Sequence, residues 1–189
     1  MDDRSLERDL EAIHPACFGW ALTCCGWNRD QAEEALQASY VKALEGKARF
    51  DGHSSLRTWF FGVVKRTAAE QRRCRFARKL VPDRWLARQS ARLVAPNPET
   101  LSREAEERRR LRECLVVLPE RQRDLLHLVF YQEMTVEASA ETLGISLGTA
   151  RTHYERGKAR LRKLLMRMEN GDERKRRNRA AASRTVCGG

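Results

Sequence analysis

The chain has 189 residues, 33% of them charged, and its 37 Lys and Arg exceed its 26 Asp and Glu to leave a formal charge of +11. That length buries a core as one domain or two small ones, and the basic balance favours a polyanionic partner, nucleic acid ahead of membrane. No long apolar run is present, and the opening MDDRSLERDLEAI lacks the apolar centre of a signal peptide, so membrane insertion is not expected and the cytoplasm is the expected compartment.

Leu6, Leu10 and Ile13 share one helix face before His14, and Pro15 suits the first turn of a second helix that Gly26 closes. Asn28 or Asp30 can cap a third helix, whose inward stripe is Ala32, Leu36, Tyr40, Ala43 and Leu44. Glu33, Glu34, Gln37 and Val41 fall on its other side, a pattern that suits plain solvation or a docking strip for a basic helix. The connector EGKARFDGHSS comes next, and Ser54 or Ser55 can cap a helix over Leu56 to Arg78. Leu56, Phe60, Val63 and Val64 make its predicted core face. Arg57, Trp59, Phe61, Lys65, Arg66, Arg72, Arg73, Arg75 and Arg78 supply aromatic and basic surface. Aromatics interleaved with cations suit single-stranded nucleic acid, because bases stack while Lys and Arg track phosphates; the plainer alternative is that Trp59 and Phe61 complete a small core.

From 79 to 103 the periodicity dissolves around Pro82, Pro96 and Pro98, which predicts a basic linker with a short helix near Asp83–Arg92. Helix resumes at Glu104 with Leu111, Leu115 and Leu118 on its inner edge; Pro119 then opens a helix that packs Leu125, Leu126, Val129 and Phe130. Next comes helix-turn-helix punctuation. A short helix over Thr135 to Leu143 carries Val136, Ala140 and Leu143 inward, Gly144 is placed for a left-handed cap, Ile145 plugs the angle, and Ser146 can cap the second helix. That helix puts Ala150, Tyr154, Gly157, Leu161 and Leu164 on one face and Arg151, Thr152, Glu155 and Arg156 on the other, as a major-groove reader requires. After Met168 the basic tail has no apolar period, so 169–189 is expected to be disordered. Six cysteines lack C-x-x-C spacing and are expected as free thiols; His14, Cys17, Cys24 and Cys25 make a poor metal set, since adjacent cysteines chelate one tetrahedral ion with difficulty.

Two separated blocks, in this order, resemble one family. DQAEEALQASYVKALEGKARFDGHSSLRTWFFGVVKRTAAEQRR is similar to the core-polymerase-binding and −10 domain of bacterial extracytoplasmic-function (ECF, group 4) sigma factors, and LPERQRDLL…TVEASAETLGISLGTARTHYERGKARLRKLL to their −35-reading domain. The resemblance spans roughly residues 10 to 168. It implies an all-α protein of two small helical domains joined by a flexible linker, 1–78 and 104–168, the second containing the helix-turn-helix. It implies core RNA polymerase (β′ coiled coil and β subunit), promoter DNA and an anti-sigma factor as partners, with no cofactor, no metal and no enzymatic activity.

Residue by residue, the resemblance places Glu33, Glu34, Gln37, Tyr40 and Val41 on the strip that docks the β′ coiled coil. Phe50, Asp51, His53, Ser54 and Ser55, with Arg57, fall on the loop that captures a flipped −10 base, and Trp59, Lys65, Arg66 and Arg73 along the helix facing melting DNA. Arg151, Thr152, Glu155 and Arg156 fall on the recognition helix, with Gly148 and Thr149 near a backbone phosphate at its start. Ala35 and Ala38 are smaller than the family's usual residues in the docking strip. Ser139 and Thr142 replace bulkier apolar ones, which predicts a loosely packed first motif helix.

Two other classes remain open at this point. A conventional regulator would use only the C-terminal motif on duplex DNA, without docking polymerase. A recombinase would need an N-terminal α/β catalytic domain, and no strand alternation comes after Ser5, Arg4 and Arg8 to supply one.

Overall fold

The structure, a computed structural model, describes residues 3–80 and 103–186, with side chains over 5–77, 109–168 and at Asn170. Among the described residues eight α-helices run in chain order: α1 (Asp3–Ala12), α2 (His14–Cys24), α3 (Arg29–Leu44), α4 (Leu56–Leu80), α5 (Arg103–Val117), α6 (Glu120–Leu126), α7 (Val136–Leu143) and α8 (Leu147–Val186). A π-helical turn, His127–Tyr131, extends α6. The fold is all-α, with no strand among the described residues. The predicted helix near Asp83–Arg92, and most of the predicted linker, lie outside the described residues.

Helix ends obey local chemistry closely. Pro15 sits in the first turn of α2, and the Asn28 side chain accepts from the Gln31 amide at 2.9 Å to start α3. Ser55 rather than Ser54 caps α4, its Oγ accepting from the Thr58 amide at 3.1 Å. These bonds satisfy amides that a helix start otherwise leaves open.

The first half packs α2, α3 and α4 around Trp20, Ala32, Leu36, Phe60, Val63 and Val64. Two expectations fail at its edges. Leu44, predicted inward, is 47% exposed, because it ends α3 and lines an open cleft of about 440 Å³ with Leu10, His14 and Tyr40. Phe61, predicted outward, is fully buried; Trp20 lies 6.0 Å from it, centroid to centroid, and the Trp20 indole N–H donates to its carbonyl at 2.9 Å.

Phe61 is inward because α4 is covered on two sides. Leu125, Leu128, Met134, Ala140, Leu143 and Ala150 from the second half join the same core as Trp20 and Phe60. The helices approach closely at Gly62, where even a Cβ would lie 3.4 Å from the Thr142 carbonyl on α7, at van der Waals contact. Ser139 and Thr142 are therefore buried, not loosely packed. Ser139 Oγ donates to the Thr135 carbonyl at 2.8 Å and Thr142 Oγ1 to the Thr58 carbonyl at 3.3 Å. A second, smaller core joins Leu115, Leu118 and Leu126 to Leu111, Tyr154, Leu161 and Leu164, holding α5, α6 and α8 together.

Phe130, predicted to pack, is 59% exposed and lies against Tyr154. The π turn explains it, since the Gln132 amide bonds to the His127 carbonyl at 3.2 Å and the extra residue rotates the helix end away from its α-helical phase. The tail also departs from expectation: α8 runs to Val186, where Glu, Lys, Arg and Ala outnumber weaker helix formers such as Gly171 and Asn178 and favour helix without an apolar stripe.

Candidate nucleic-acid and polymerase interfaces

The helix-turn-helix is built from its caps. Thr135 accepts from the Ala138 amide at 3.1 Å to open α7, and Gly144, at φ 61 and ψ 41, closes it. Ser146 Oγ then accepts from the Thr149 amide at 3.2 Å to start α8. Arg121 donates to the Leu143 carbonyl at 3.2 Å, which ties α6 to the end of α7. Ala150 and Gly157 turn inward, and the free face carries Gly148, Thr149, Arg151, Thr152, Glu155 and Arg156, all exposed.

That face is internally organised. Arg151 bridges to Glu137 on α7 at 3.3 Å, Thr152 Oγ1 donates to the Gly148 carbonyl at 3.0 Å, and Glu155 pairs with Lys158 at 2.8 Å. Glu137's carboxyl is held below its usual range by its own backbone amide and by Arg151. Exposed pairs of this kind contribute little to stability and exchange readily for phosphates or base edges.

On α3, Glu34, Gln37 and Val41 are exposed and Glu33 half-buried. Glu33 pairs with Arg29 at 2.8 Å and Glu34 with Arg75 at 3.3 Å. Tyr40 turns aside: its hydroxyl is 3.0 Å from His14 Nδ1 and its ring 4.9 Å from Phe60. It borders the strip more than it belongs to it.

The connector and the start of α4 form an aromatic corner. Phe50 lies 5.3 Å from Trp59, and the Trp59 indole N–H donates to the Arg49 carbonyl at 2.9 Å. Asp51 accepts from the His53 amide at 3.1 Å; Asp51, His53 and Ser55 are exposed and Ser54 is half-buried. Arg66 and Arg73 are exposed along α4.

Lys65 and Arg57 do not share that surface. Lys65, with 12% of its side chain exposed, reaches Glu120 Oε1 and Asp124 Oδ2 on α6, each at 2.6 Å. Arg57 lies over the Phe61 ring and donates to Gln132 Oε1 at 2.5 Å. The family resemblance places both toward DNA, and in this structure both bond the second half of the same chain.

Around Lys65 burial and charge compete. Burial alone would lower the Lys65 ammonium, but Asp124 more than offsets it and holds the ammonium above its ordinary range. Burial opposes ionisation of Glu120 too, yet hydrogen bonds and charge from Lys65 and Arg72 bring its carboxyl down to about 2. Burial pushes the Asp124 carboxyl up while Lys65 pulls against it.

Beside this cluster, the Gln132 side-chain amide donates to His127 Nε2 at 3.1 Å, which leaves Nδ1 as the donor to Thr23 Oγ1 at 2.9 Å. Burial lowers its pKa to about 4, so the ring is neutral at neutral pH. Sequence reasoning missed Asp124, His127 and Gln132. The available signal was a charged and an imidazole side chain at i and i+3, flanked by Leu125, Leu126 and Leu128 on an apolar helix.

Cys17 and Cys24 are buried, and burial raises the Cys17 thiol to about 12 and Cys24 well above its usual range. Among the described residues no three His, Cys, Asp or Glu side chains gather as metal ligands, and no helix is long and apolar enough to cross a membrane.

The pattern of the family described as Sigma-70, region 4 matches residues 114–163. The chain is 30% identical over 134 residues to the RNA polymerase sigma factor YlaC of Bacillus subtilis (strain 168), covering 71% of this chain and 77% of that one. It is 29% identical over 162 residues to the ECF RNA polymerase sigma factor EcfG of Rhodopseudomonas palustris (strain TIE-1), covering 85% of each. Two solved structures share the fold. The sigma factor RpoE of Bartonella quintana, in complex with the anti-sigma factor NepR, superposes with a TM-score of 0.69 at 22% identity over 86% of this chain and 98% of that one. CnrH, in complex with the cytosolic domain of CnrY, superposes with a TM-score of 0.59 at 20% identity, over 87% and 89%.

Proposed function

Given that the chain belongs to the ECF class of RNA polymerase sigma factors, the subunits that direct the polymerase to promoters, we propose how its surfaces divide that work. The N-terminal half of α8 enters the major groove of the −35 element. There Arg151, Thr152, Glu155 and Arg156 meet base edges, and Gly148 and Thr149 approach a phosphate at the helix start. Glu33, Glu34, Gln37 and Val41 on α3, with Tyr40 at their edge, receive the β′ coiled coil of core polymerase.

The aromatic corner of Phe50 and Trp59, the Asp51–Ser55 connector, and Arg66 and Arg73 hold the separated −10 strand by stacking and phosphate contact, with Arg57 and Lys65 set behind them on Gln132 and on Glu120 and Asp124. The protein acts in the cytoplasm as a specificity subunit and performs no bond chemistry of its own. One solved structure of the same fold holds its sigma factor in complex with an anti-sigma factor, which supports a partner of that kind here.

The observation that carries the reading is the capped turn from Thr135 through Gly144 to Ser146, which presents a free, arginine-bearing face at the start of α8. Run-off transcription with core polymerase on promoters selected from a random pool tests it. Start-site choice conferred by the chain, and lost on changing Arg151 and Arg156 together to Ala, is the expected result. Unchanged transcription from the selected promoter by that double variant would remove the reading face.

A further inference from the structure

We propose that the recess between α2, α4 and α6 is a binding site for a small anion carrying a terminal phosphoryl group. The recess measures about 170 Å³, and none of the residues lining it is assigned above to promoter DNA or to polymerase. Arg72 and Arg75 from α4 and Arg123 from α6 line it, beside Cys25 and Gln31 where α2 passes into α3.

Three guanidinium groups meet there, and the protein leaves each with donors to spare. Arg123 lies deepest, with 13% of its side chain exposed. Its Nε has no hydrogen-bond partner among the described residues, and its ion pair with Asp124 Oδ1 is 4.0 Å long. A buried donor left open in this way costs stability unless something outside the chain fills it. Arg72 reaches Glu120 at 3.2 Å and Arg75 reaches Glu34 at 3.3 Å, whereas a well-aimed bond from a cation to a carboxylate closes to about 2.7–2.9 Å. Glu120 and Asp124 give their short bonds, 2.6 Å each, to Lys65 instead. The excess of positive charge is felt at Cys25: burial pushes that thiol up to about 11, while Arg75, Arg72 and Lys65 all pull against it.

The shape of the recess selects among anions. Gly26 and Ala68 leave space in its walls, and the most buried cation lies at its depth. A terminal phosphoryl group offers three acceptor oxygens and close to two charges to a set of guanidinium forks. An internal phosphodiester offers one charge and carries two substituents that the walls would meet.

The test titrates inorganic phosphate into the full-length chain by isothermal calorimetry, with ionic strength held constant by chloride so that general screening cancels. Saturable binding at one site is expected. Arg75→Gln should weaken it roughly tenfold to a hundredfold, and Arg123→Gln by at least as much. Arg8→Gln, which removes the same charge from the exposed face of α1, should leave it unchanged. Cys25 gives a readout in the unaltered chain. Because it lines the recess, phosphate should slow its alkylation by iodoacetamide, mapped by mass spectrometry, without slowing that of exposed Cys74. That measurement and Arg75→Gln carry the test if circular dichroism shows Arg123→Gln unfolded. Adenosine 5′-monophosphate separates the sources: tighter binding than phosphate assigns the ligand to a nucleotide, and equal or weaker binding assigns it to phosphate itself.

Absence of saturable phosphate binding overturns the proposal. Binding that survives Arg75→Gln, or that leaves the labelling of Cys25 unchanged, overturns it by placing the ion elsewhere on a basic surface. A thymidine dinucleotide with only an internal phosphodiester should not compete, and competition equal to that of phosphate overturns the assignment to a terminal phosphoryl group.

Discussion

Acid should weaken this fold through one imidazole, and the amount can be worked from its surroundings. His127 lies at the seam between the halves, bonded to Thr23 and Gln132, 5.5 Å from the Trp20 ring and 5.3 Å from Tyr131. Burial lowers its pKa from 6.5 to about 4, so the unfolded chain takes up the proton first. The stability it confers is fully present above pH 6.5 and is lost as pH falls from there towards about 4. Proton linkage between those values gives a loss of about 2 kcal/mol by about pH 5 and about 3 kcal/mol by the end of the window. Asp124, whose carboxyl burial pushes up, contributes with the opposite sign at the acid end, so the wild-type slope alone is not diagnostic. The comparison with His127→Asn is, because it removes only the imidazole. Urea unfolding at pH 8 and pH 5 should show a stability loss larger in the wild type than in the variant by about 2 kcal/mol. Equal losses in the two proteins would refute the claim that a buried neutral His127 holds the seam.

Trp20→Ala should cost about 3–5 kcal/mol, measured by denaturant unfolding, since a fully buried indole bonded to the Phe61 carbonyl is removed from the shared core. Thr135→Ala should cost about 1 kcal/mol by loss of the α7 cap. Gly144→Ala should cost a similar amount, about 1 kcal/mol, from its left-handed backbone alone, because an added methyl meets nothing within 4 Å. Thiol alkylation of the native protein, mapped by mass spectrometry, should label exposed Cys74 and spare Cys17 and Cys24 until urea unfolds the chain.

What the sequence made legible was local. Asn28, Ser55, Thr135, Gly144 and Ser146 end or begin helices because each acts on amides or torsions a few residues away. The exposed face of Arg151, Thr152, Glu155 and Arg156 was legible for the same reason, as phase on one helix. What stayed hidden was the second side of α4. Periodicity assigns one inward stripe to a helix, and Phe61 and Lys65 lie off that stripe, against a partner distant in sequence. Ser139 and Thr142 look like weak core residues until α4 supplies the surface they fit. Phe130 was misplaced by a rotation: one additional residue in the π turn carries His127 inward and leaves Phe130 outside.

The length of α8 has a mechanical consequence. Its 40 residues form one uninterrupted rod from the reading face to Val186, about 60 Å at the usual helical rise. Whatever lies along its distal end is therefore phased to the groove like a key's bow to its teeth. Inserting one residue near Met166 would swing that end about 100° around the axis without touching Arg151 or Arg156, and inserting seven would nearly restore it.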